Sequence, residues 1–341
     1  MTTKIGINGF GRTGRQTFRA ILERHAGVLE IVAINDLTDA ATNAHLLKYD
    51  SSYGRFPGEV TATDGVMIVN GKPVRVLAER EPANIPWHDL GVELVIESTW
   101  LFTDAERAGE HLRGSATRVI ISAPAKHGGL TVVMGVNESE YNHTRHRVIS
   151  NASCTTNGLA PVAKVLHDTW GIEKGLLTTV HAYTGTQRLL DQEAKDLRDA
   201  RAAALNIVPS STGAAKAVGL VIPELRGRFG GMAFRVPTAT VSVVDFTAVL
   251  KTDVTVENLN HAFKNAAAGS LKGILGYTDE PLVSMDIKGD SRSSIVSGLD
   301  TQVVGGNLVK IIAWYDNEYG YACRVGDLAA YIARMDAENT H

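Results

Sequence analysis

Two rhythms of apolar residues divide this chain. In the first half, short apolar runs at residues 4–8, 29–35, 94–97 and 118–122 alternate with stretches such as 12–24, where apolar residues return at helical spacing. Strand-length runs separated by amphipathic helices predict a parallel, doubly wound α/β sheet. Residues 50–80 break the rhythm and read as an inserted hairpin, with Asn70-Gly71 supplying its tight turn. Beyond Cys154 the runs lengthen, at 176–184, 233–250 and 308–316, which predicts an α+β domain with a mostly antiparallel sheet and helices on one face. Between these runs, 187–204 mixes acidic and basic residues and 206–213 is rich in turn formers, so a long functional loop is expected there. Residues 328–335 return to helical spacing. The expected organisation is a first domain over 1–152, a second over 153–318, and a C-terminal helix over 319–341 packing back on the first.

Length and composition narrow the class. A chain of 341 residues outgrows a single core, and 44% hydrophobic with 21% charged residues is the make-up of an ordinary globular protein. The net charge of -3, without runs of like charge, offers no nucleic-acid or membrane patch. No apolar stretch reaches spanning length, and Met-Thr-Thr-Lys gives way at once to a strand, which leaves no room for a signal peptide. The two cysteines, Cys154 and Cys323, form neither a disulfide framework nor a zinc-ligand spacing, so no metal is expected and a reducing, cytoplasmic setting is.

Chemistry gathers at two places. Gly9-Phe10-Gly11-Arg12-Thr13-Gly14 directly follows a strand and opens a helix, and a second strand ends at Asp36, about 20 residues on, the layout of a Rossmann-type dinucleotide site. Gly9 permits the turn, Gly11 lets a pyrophosphate approach, Gly14 lets helix and strand pack, and the helix N-terminus offers amide donors. Asp36 would accept from the adenosine ribose and repel a 2′-phosphate, which favours NAD over NADP.

The second place is Ser153-Cys154-Thr155-Thr156-Asn157, between a strand at 147–150 and helical spacing at 159–166. Cys154 therefore falls at a helix N-terminus, where the dipole lowers a thiol pKa and a nearby imidazolium lowers it further. His181, at the end of a strand, is the candidate partner. Taken alone, a cysteine is more often a small buried hydrophobe and a histidine a structural residue, and Cys323 keeps that reading.

Along essentially its whole length the sequence resembles the phosphorylating glyceraldehyde-3-phosphate dehydrogenases. The matching motifs are Ile7-Asn8-Gly9-Phe10-Gly11-Arg12, Ile121-Ser122-Ala123-Pro124-Ala125-Lys126, Ala152-Ser153-Cys154-Thr155-Thr156-Asn157, His181-Ala182-Tyr183-Thr184, and the run from Pro209 to Val218. Phe234-Arg235-Val236-Pro237-Thr238 and Trp314-Tyr315-Asp316-Asn317-Glu318 complete the set, in the family's order. The resemblance implies Cys154 as nucleophile, His181 as base and transition-state donor, and Asn317 as the holder of the nicotinamide carboxamide. Arg80 and Ser122 join the cofactor residues. One phosphate pocket would use Thr184 and Arg235 with Arg198 nearby, the other Ser153, Thr155, Thr212 and Gly213. The implied reaction is phosphorylating oxidation of glyceraldehyde 3-phosphate by NAD through a cysteine thioester, in a homotetramer. Three positions depart from the family pattern: Thr13, Gly158 and, above all, Trp100, where the family usually has glycine at the carboxyl end of a sheet strand. The competing readings are an erythrose-4-phosphate dehydrogenase and a nucleotide-binding redox sensor that keeps Cys154 without turnover.

Overall fold

In the computed structural model, which describes residues 2–339, the early apolar runs become the inner strands of a nine-stranded sheet. Its order is Leu130–Thr131, Val148–Ser150, Arg118–Ile121, Leu94–Glu97, Thr3–Asn8, Leu29–Asn35, Lys72–Leu77, Val66–Val69 and Val60–Thr63. The first seven strands run parallel and the last two fold back antiparallel. Every residue of Leu94–Glu97 is buried, as in a strand covered on both faces. The antiparallel addition turns at Asp64-Gly65 (φ 32° and 76°) and at Asn70-Gly71 (φ 50° and 77°). Both are two-residue turns with positive φ at each central position, the form that matches strand twist. Thr3–Asn8 has Leu29–Asn35 on one side and Leu94–Glu97 on the other, so the winding reverses at its carboxyl end, where open α/β sheets bind ligands.

The second sheet runs Val208–Ser211, Phe229–Val236, Ile172–Ala182, Ser242–Leu250, Leu308–Tyr315, Ser294–Ser297 and Leu275–Thr278, with Gln302–Val304 paired onto Leu308–Tyr315. Its pairing is antiparallel except for two parallel pairs, one joining Ile172–Ala182 to Phe229–Val236 and one joining Leu275–Thr278 to Ser294–Ser297. Along Ser242–Leu250 buried and half-exposed residues alternate strictly, so one face meets a core. That core is closed by helices Cys154–Trp170, Ala214–Val221 and Val256–Ala268.

Three expected bounds shift. The run 233–250 is two strands, because Pro237 has no N–H to give a ladder and Val241, at φ 69°, turns the chain before Ser242. The strand expected at 176–184 spans Ile172–Ala182, and the last helix spans Tyr319–Glu338. Segment 187–204 holds no helix or strand beyond an isolated bridge from Arg188 to Ala202.

By contacts, one unit comprises the chain up to Val132, Glu138–Ala152 and the chain from Ala322 on; the other comprises Val133–Asn137 and Ser153–Tyr321. Nothing in the apolar rhythm marks the excursion at Val133–Asn137. In the first unit the terminal helix is held by polar contacts: Asp327 lies 2.7 Å from His25 Nε2, and Asp336 lies 2.9 Å from Arg118 Nε. No described helix is long and apolar enough to cross a membrane.

Candidate active site

In the first unit, Gly9 has φ 89°, and a Cβ there would meet the backbone of Ser98 and Thr99 at 2.8 Å. At Gly14 a Cβ would stand 2.1 Å from the Gly9 carbonyl oxygen, so the helix Arg12–Arg24 can sit this close to the turn only with glycine there. Around Gly11 the direction of a Cβ is open to 4 Å. The helix starts with no side-chain cap and no acid in its first turn, which leaves amide donors for an anion. Asp36 ties the turn together, accepting from Phe10 N–H at 2.8 Å and from Thr38 N–H at 3.0 Å. A glycine lined with open space before an uncapped helix, with an acid at the next strand end, fits a dinucleotide pyrophosphate and ribose.

The neighbours of this cradle are less open. Arg12 pairs with Asp50 at 2.8 Å, and Arg80 is exposed beyond Lys72–Leu77. The buried Ser122 hydroxyl lies 2.9 Å from Ser98 Oγ and donates to the Glu97 carbonyl, which also accepts from the Ser122 N–H at 2.9 Å. Sequence reasoning missed Glu97, an acid at the end of an otherwise apolar strand. Its buried carboxylate accepts from Asn8 Nδ2 at 2.6 Å, Thr99 N–H at 2.7 Å and His111 Nε2 at 3.0 Å, and Trp87 Nε1–H donates to His111 Nδ1 at 3.1 Å. The carboxylate thereby fixes the residues on both sides of Gly9. Trp100 follows on, with φ 65° and 55% of its surface exposed.

In the second unit, Cys154 is the first residue of the helix Cys154–Trp170, and Ser153 caps it, its Oγ accepting from Thr156 N–H at 3.0 Å. Cys154 Sγ lies 3.5 Å from His181 Nε2. The parallel pairing of Ile172–Ala182 with Phe229–Val236 sets His181 directly opposite Arg235. His181 Nδ1 stands 2.7 Å from the Ala182 carbonyl oxygen and 2.5 Å from Arg235 Nη1. Arg235 has only donors, so it shares Nδ1 when that nitrogen is bare; when Nδ1 carries the proton, the Ala182 carbonyl accepts it and Nε2 turns a lone pair toward Sγ.

Electrostatics corrects one expectation here. Burial, and then Arg235, drive the His181 pKa down to about 3, so the ring is neutral and not the imidazolium expected. Burial also pushes the Cys154 thiol up, opposed by Arg235, the Thr155 hydroxyl and the backbone amides of Thr155 and Cys154. The helix-end pull is present, and burial outweighs it. Cys154 nevertheless keeps partial exposure, whereas Cys323 is fully buried.

Tyr315, quoted above only as part of a motif, lies beneath this pair. Its hydroxyl is 2.8 Å from Thr155 Oγ1 and 2.9 Å from Thr179 Oγ1, and its ring meets His181 edge-on at 6.0 Å. The anion candidates are not all brought together. Thr184 Oγ1 contacts Thr186 Oγ1 at 3.0 Å, and Arg198 is forked onto Asp196, with Nη2 2.7 Å from Oδ2. Ser153 and Thr155 direct their hydroxyls to the cap and to Tyr315, while Thr212 Oγ1 accepts from Ala214 N–H at 3.1 Å, beside Gly213 at the helix start. Asn317 is buried, with Oδ1 2.9 Å from Ser242 Oγ.

Comparison with known proteins gives the same two parts. Residues 3–105 match the profile of the glyceraldehyde 3-phosphate dehydrogenase NAD binding domain, and residues 153–317 match that of the C-terminal domain. Glyceraldehyde-3-phosphate dehydrogenase 1 of Bacillus cereus is 58% identical over 330 residues, 97% of this chain and 98% of the relative. The glyceraldehyde-3-phosphate dehydrogenase of Geobacillus stearothermophilus is 58% identical over 333 residues, covering 98% and 99%. An NAD-binding fingerprint, a cysteine and histidine in contact at a helix start, and full-length similarity agree: the chain belongs to the glyceraldehyde-3-phosphate dehydrogenase family.

Proposed function

We propose that this protein oxidises glyceraldehyde 3-phosphate to 1,3-bisphosphoglycerate, with NAD taking the hydride and inorganic phosphate taking the acyl group. The contact of Cys154 Sγ with His181 Nε2 at 3.5 Å, with Arg235 in register beside it, carries the reading. Arg235 offers a fork to the phosphate of the substrate. Leaving His181 for that phosphate, it frees Nδ1 to hold a proton against the Ala182 carbonyl, and Nε2 becomes a base. His181 then takes the thiol proton as Sγ bonds to the aldehyde carbon. The Cys154 backbone N–H and the newly protonated Nε2–H stabilise the oxygen of the thiohemiacetal. Bound NAD supplies a hydride acceptor. As the hydride leaves, the carbonyl reforms as a Cys154 thioester and His181 holds the released proton. Phosphate attacks the thioester carbon, the carbon–sulfur bond breaks, and His181 returns a proton to sulfur.

Phosphate binding divides between two sets. Thr184 and Arg235 serve the substrate phosphate, with Arg198 exchanging its Asp196 partner. Thr212 and Gly213 serve the attacking phosphate together with the amides at Ser153 and Thr155, since those two hydroxyls are committed inward. Asn317 holds the nicotinamide carboxamide. Gly9, Phe10, Gly11, Arg12, Thr13 and Gly14 cradle the pyrophosphate, and Asp36, Arg80 and Ser122 line the adenosine side. The exposed Leu189, Leu190, Leu197, Leu205 and Ile207 favour an oligomer that covers segment 187–207, and the family resemblance supplies the cytoplasmic homotetramer as its form.

A steady-state assay tests the proposal. Phosphate-dependent NADH formation from glyceraldehyde 3-phosphate, faster than from erythrose 4-phosphate, is expected. A higher rate with the tetrose phosphate would reassign the substrate, and absence of turnover would leave a nucleotide-binding sensor.

A further inference from the structure

We infer that Ser242 is a positioning residue, which sets the orientation of the Asn317 amide and joins it to Ala182, the residue whose carbonyl orients His181. Ser242 is buried, 1% exposed, at the start of a strand whose buried positions are otherwise apolar. Its Oγ accepts from Ala182 N–H at 3.0 Å and stands 2.9 Å from Asn317 Oδ1.

The direction of these bonds follows from the donors present. A backbone N–H can only donate, so Oγ is the acceptor from Ala182 and its own proton goes to the second neighbour. That neighbour must then present oxygen, since a flipped amide would put N–H against Oγ and leave the buried Ser242 hydroxyl proton without an acceptor. Asn317 is therefore locked with Oδ1 on Ser242, and Nδ2 has no partner among the described residues. Two N–H donors are left for the oxygen of a carboxamide. The same residue, Ala182, places its carbonyl oxygen 2.7 Å from His181 Nδ1. One residue, Ala182, thus meets Ser242, and through it the amide, by its N–H and the base by its oxygen.

The backbone supports the assignment. Val241, directly before Ser242, has φ 69°, a left-handed value that a β-branched residue adopts only when its surroundings impose it. Its side chain is buried in a small cluster with Ile287 and Ile295. Backbone strain directly before a buried polar side chain is consistent with a conformation kept for where it aims the next residue.

The inference rests on the proposed role of Asn317, and calorimetric titration with two ligands tests the pair separately. NAD carries the carboxamide and ADP-ribose does not. Ser242→Ala should weaken NAD about tenfold, the factor that loss of one well-made hydrogen bond produces, and leave ADP-ribose within about twofold. Ser242→Thr, which keeps the hydroxyl, should restore NAD affinity. In an Asn317→Ala background, Ser242→Ala should add nothing further for NAD. Should Ser242→Ala fail to fold, Ser242→Cys, a near-isostere with a weak donor, takes its place with the same readout. Equal losses for NAD and ADP-ribose, or none for either, would overturn the inference. A loss in Asn317→Ala with none in Ser242→Ala would overturn it alone, whereas no loss in Asn317→Ala would remove the role of Asn317 together with it.

Discussion

Arg235 is the residue on which most depends, because its charge acts on Cys154 and His181 and, in the proposed reaction, on the substrate phosphate. Arg235→Leu removes a charge-assisted, two-toothed phosphate contact and should raise KM for glyceraldehyde 3-phosphate by about a hundredfold or more, with little change for NAD. With unphosphorylated glyceraldehyde the effect should shrink; equal losses would make Arg235 a support of the fold. The same variant removes the largest pull lowering the Cys154 thiol, so the midpoint for alkylation of Cys154 by iodoacetamide should move to higher pH. A midpoint unchanged or lowered would contradict the electrostatic account. Trp100 is the other residue that stands out. Its left-handed backbone costs roughly 1 kcal/mol or more in a non-glycine residue, and at 55% exposure it gains little packing in return. Because the preceding Thr99 abuts Gly9, Trp100 follows directly on the residue that packs against the dinucleotide turn. An indole that obstructs the cofactor there makes Trp100→Gly tighten NAD about threefold or more, with KM for the aldehyde unchanged at saturating cofactor. Weaker binding by the glycine variant, measured by calorimetry, would show instead that the ring stacks on the adenine.

Among the elements, the turn from Thr3–Asn8 into Arg12–Arg24 separates packing from binding. A methyl at position 14 collides with the Gly9 carbonyl, so Gly14→Ala should destabilise the fold by about 2 kcal/mol or more. A methyl at position 11 meets only open space, so Gly11→Ala should leave stability within about 0.5 kcal/mol and still weaken NAD about tenfold. Chemical denaturation and titration of both variants check this; similar stability losses in the two would mean that Gly11 is also packed. Both glycines were legible because their spacing, between a strand and a helix, has a geometric cause. Cys154 and His181 were legible for the same reason, one at a helix start and one at a strand end. Ser242 and Tyr315 were not. Their importance arises from register, Ser242 lying opposite Tyr315 across an antiparallel pair, and register among distant strands leaves no local trace in the sequence. The parallel pair that aligns His181 with Arg235 was hidden inside an antiparallel sheet for the same reason. The 233–250 run was read as one strand because its apolar content continues through Pro237, whose missing N–H ends the ladder.

At the scale of the whole molecule, the neutral His181 links the site to folding. In the unfolded chain a histidine takes up its proton near pH 6.5, whereas the folded pocket holds it off down to about 3. Below about 6.5 the unfolded state therefore binds more protons, so this contribution is complete above that pH and is lost as pH falls toward 3. Relative to the wild type, His181→Asn should show a shallower loss of thermal stability between about pH 6.5 and 4; parallel curves would mean that His181 is charged in the fold. The central claim, that oxidation passes through an acyl group on Cys154, is tested most directly by mixing the protein with NAD and glyceraldehyde 3-phosphate in the absence of phosphate and mapping the acid-quenched chain by mass. The account predicts a burst of NADH matched by an acyl adduct on the Cys154 peptide that disappears when phosphate is added. NADH formation without an adduct on Cys154, or an adduct that phosphate does not discharge, would contradict it.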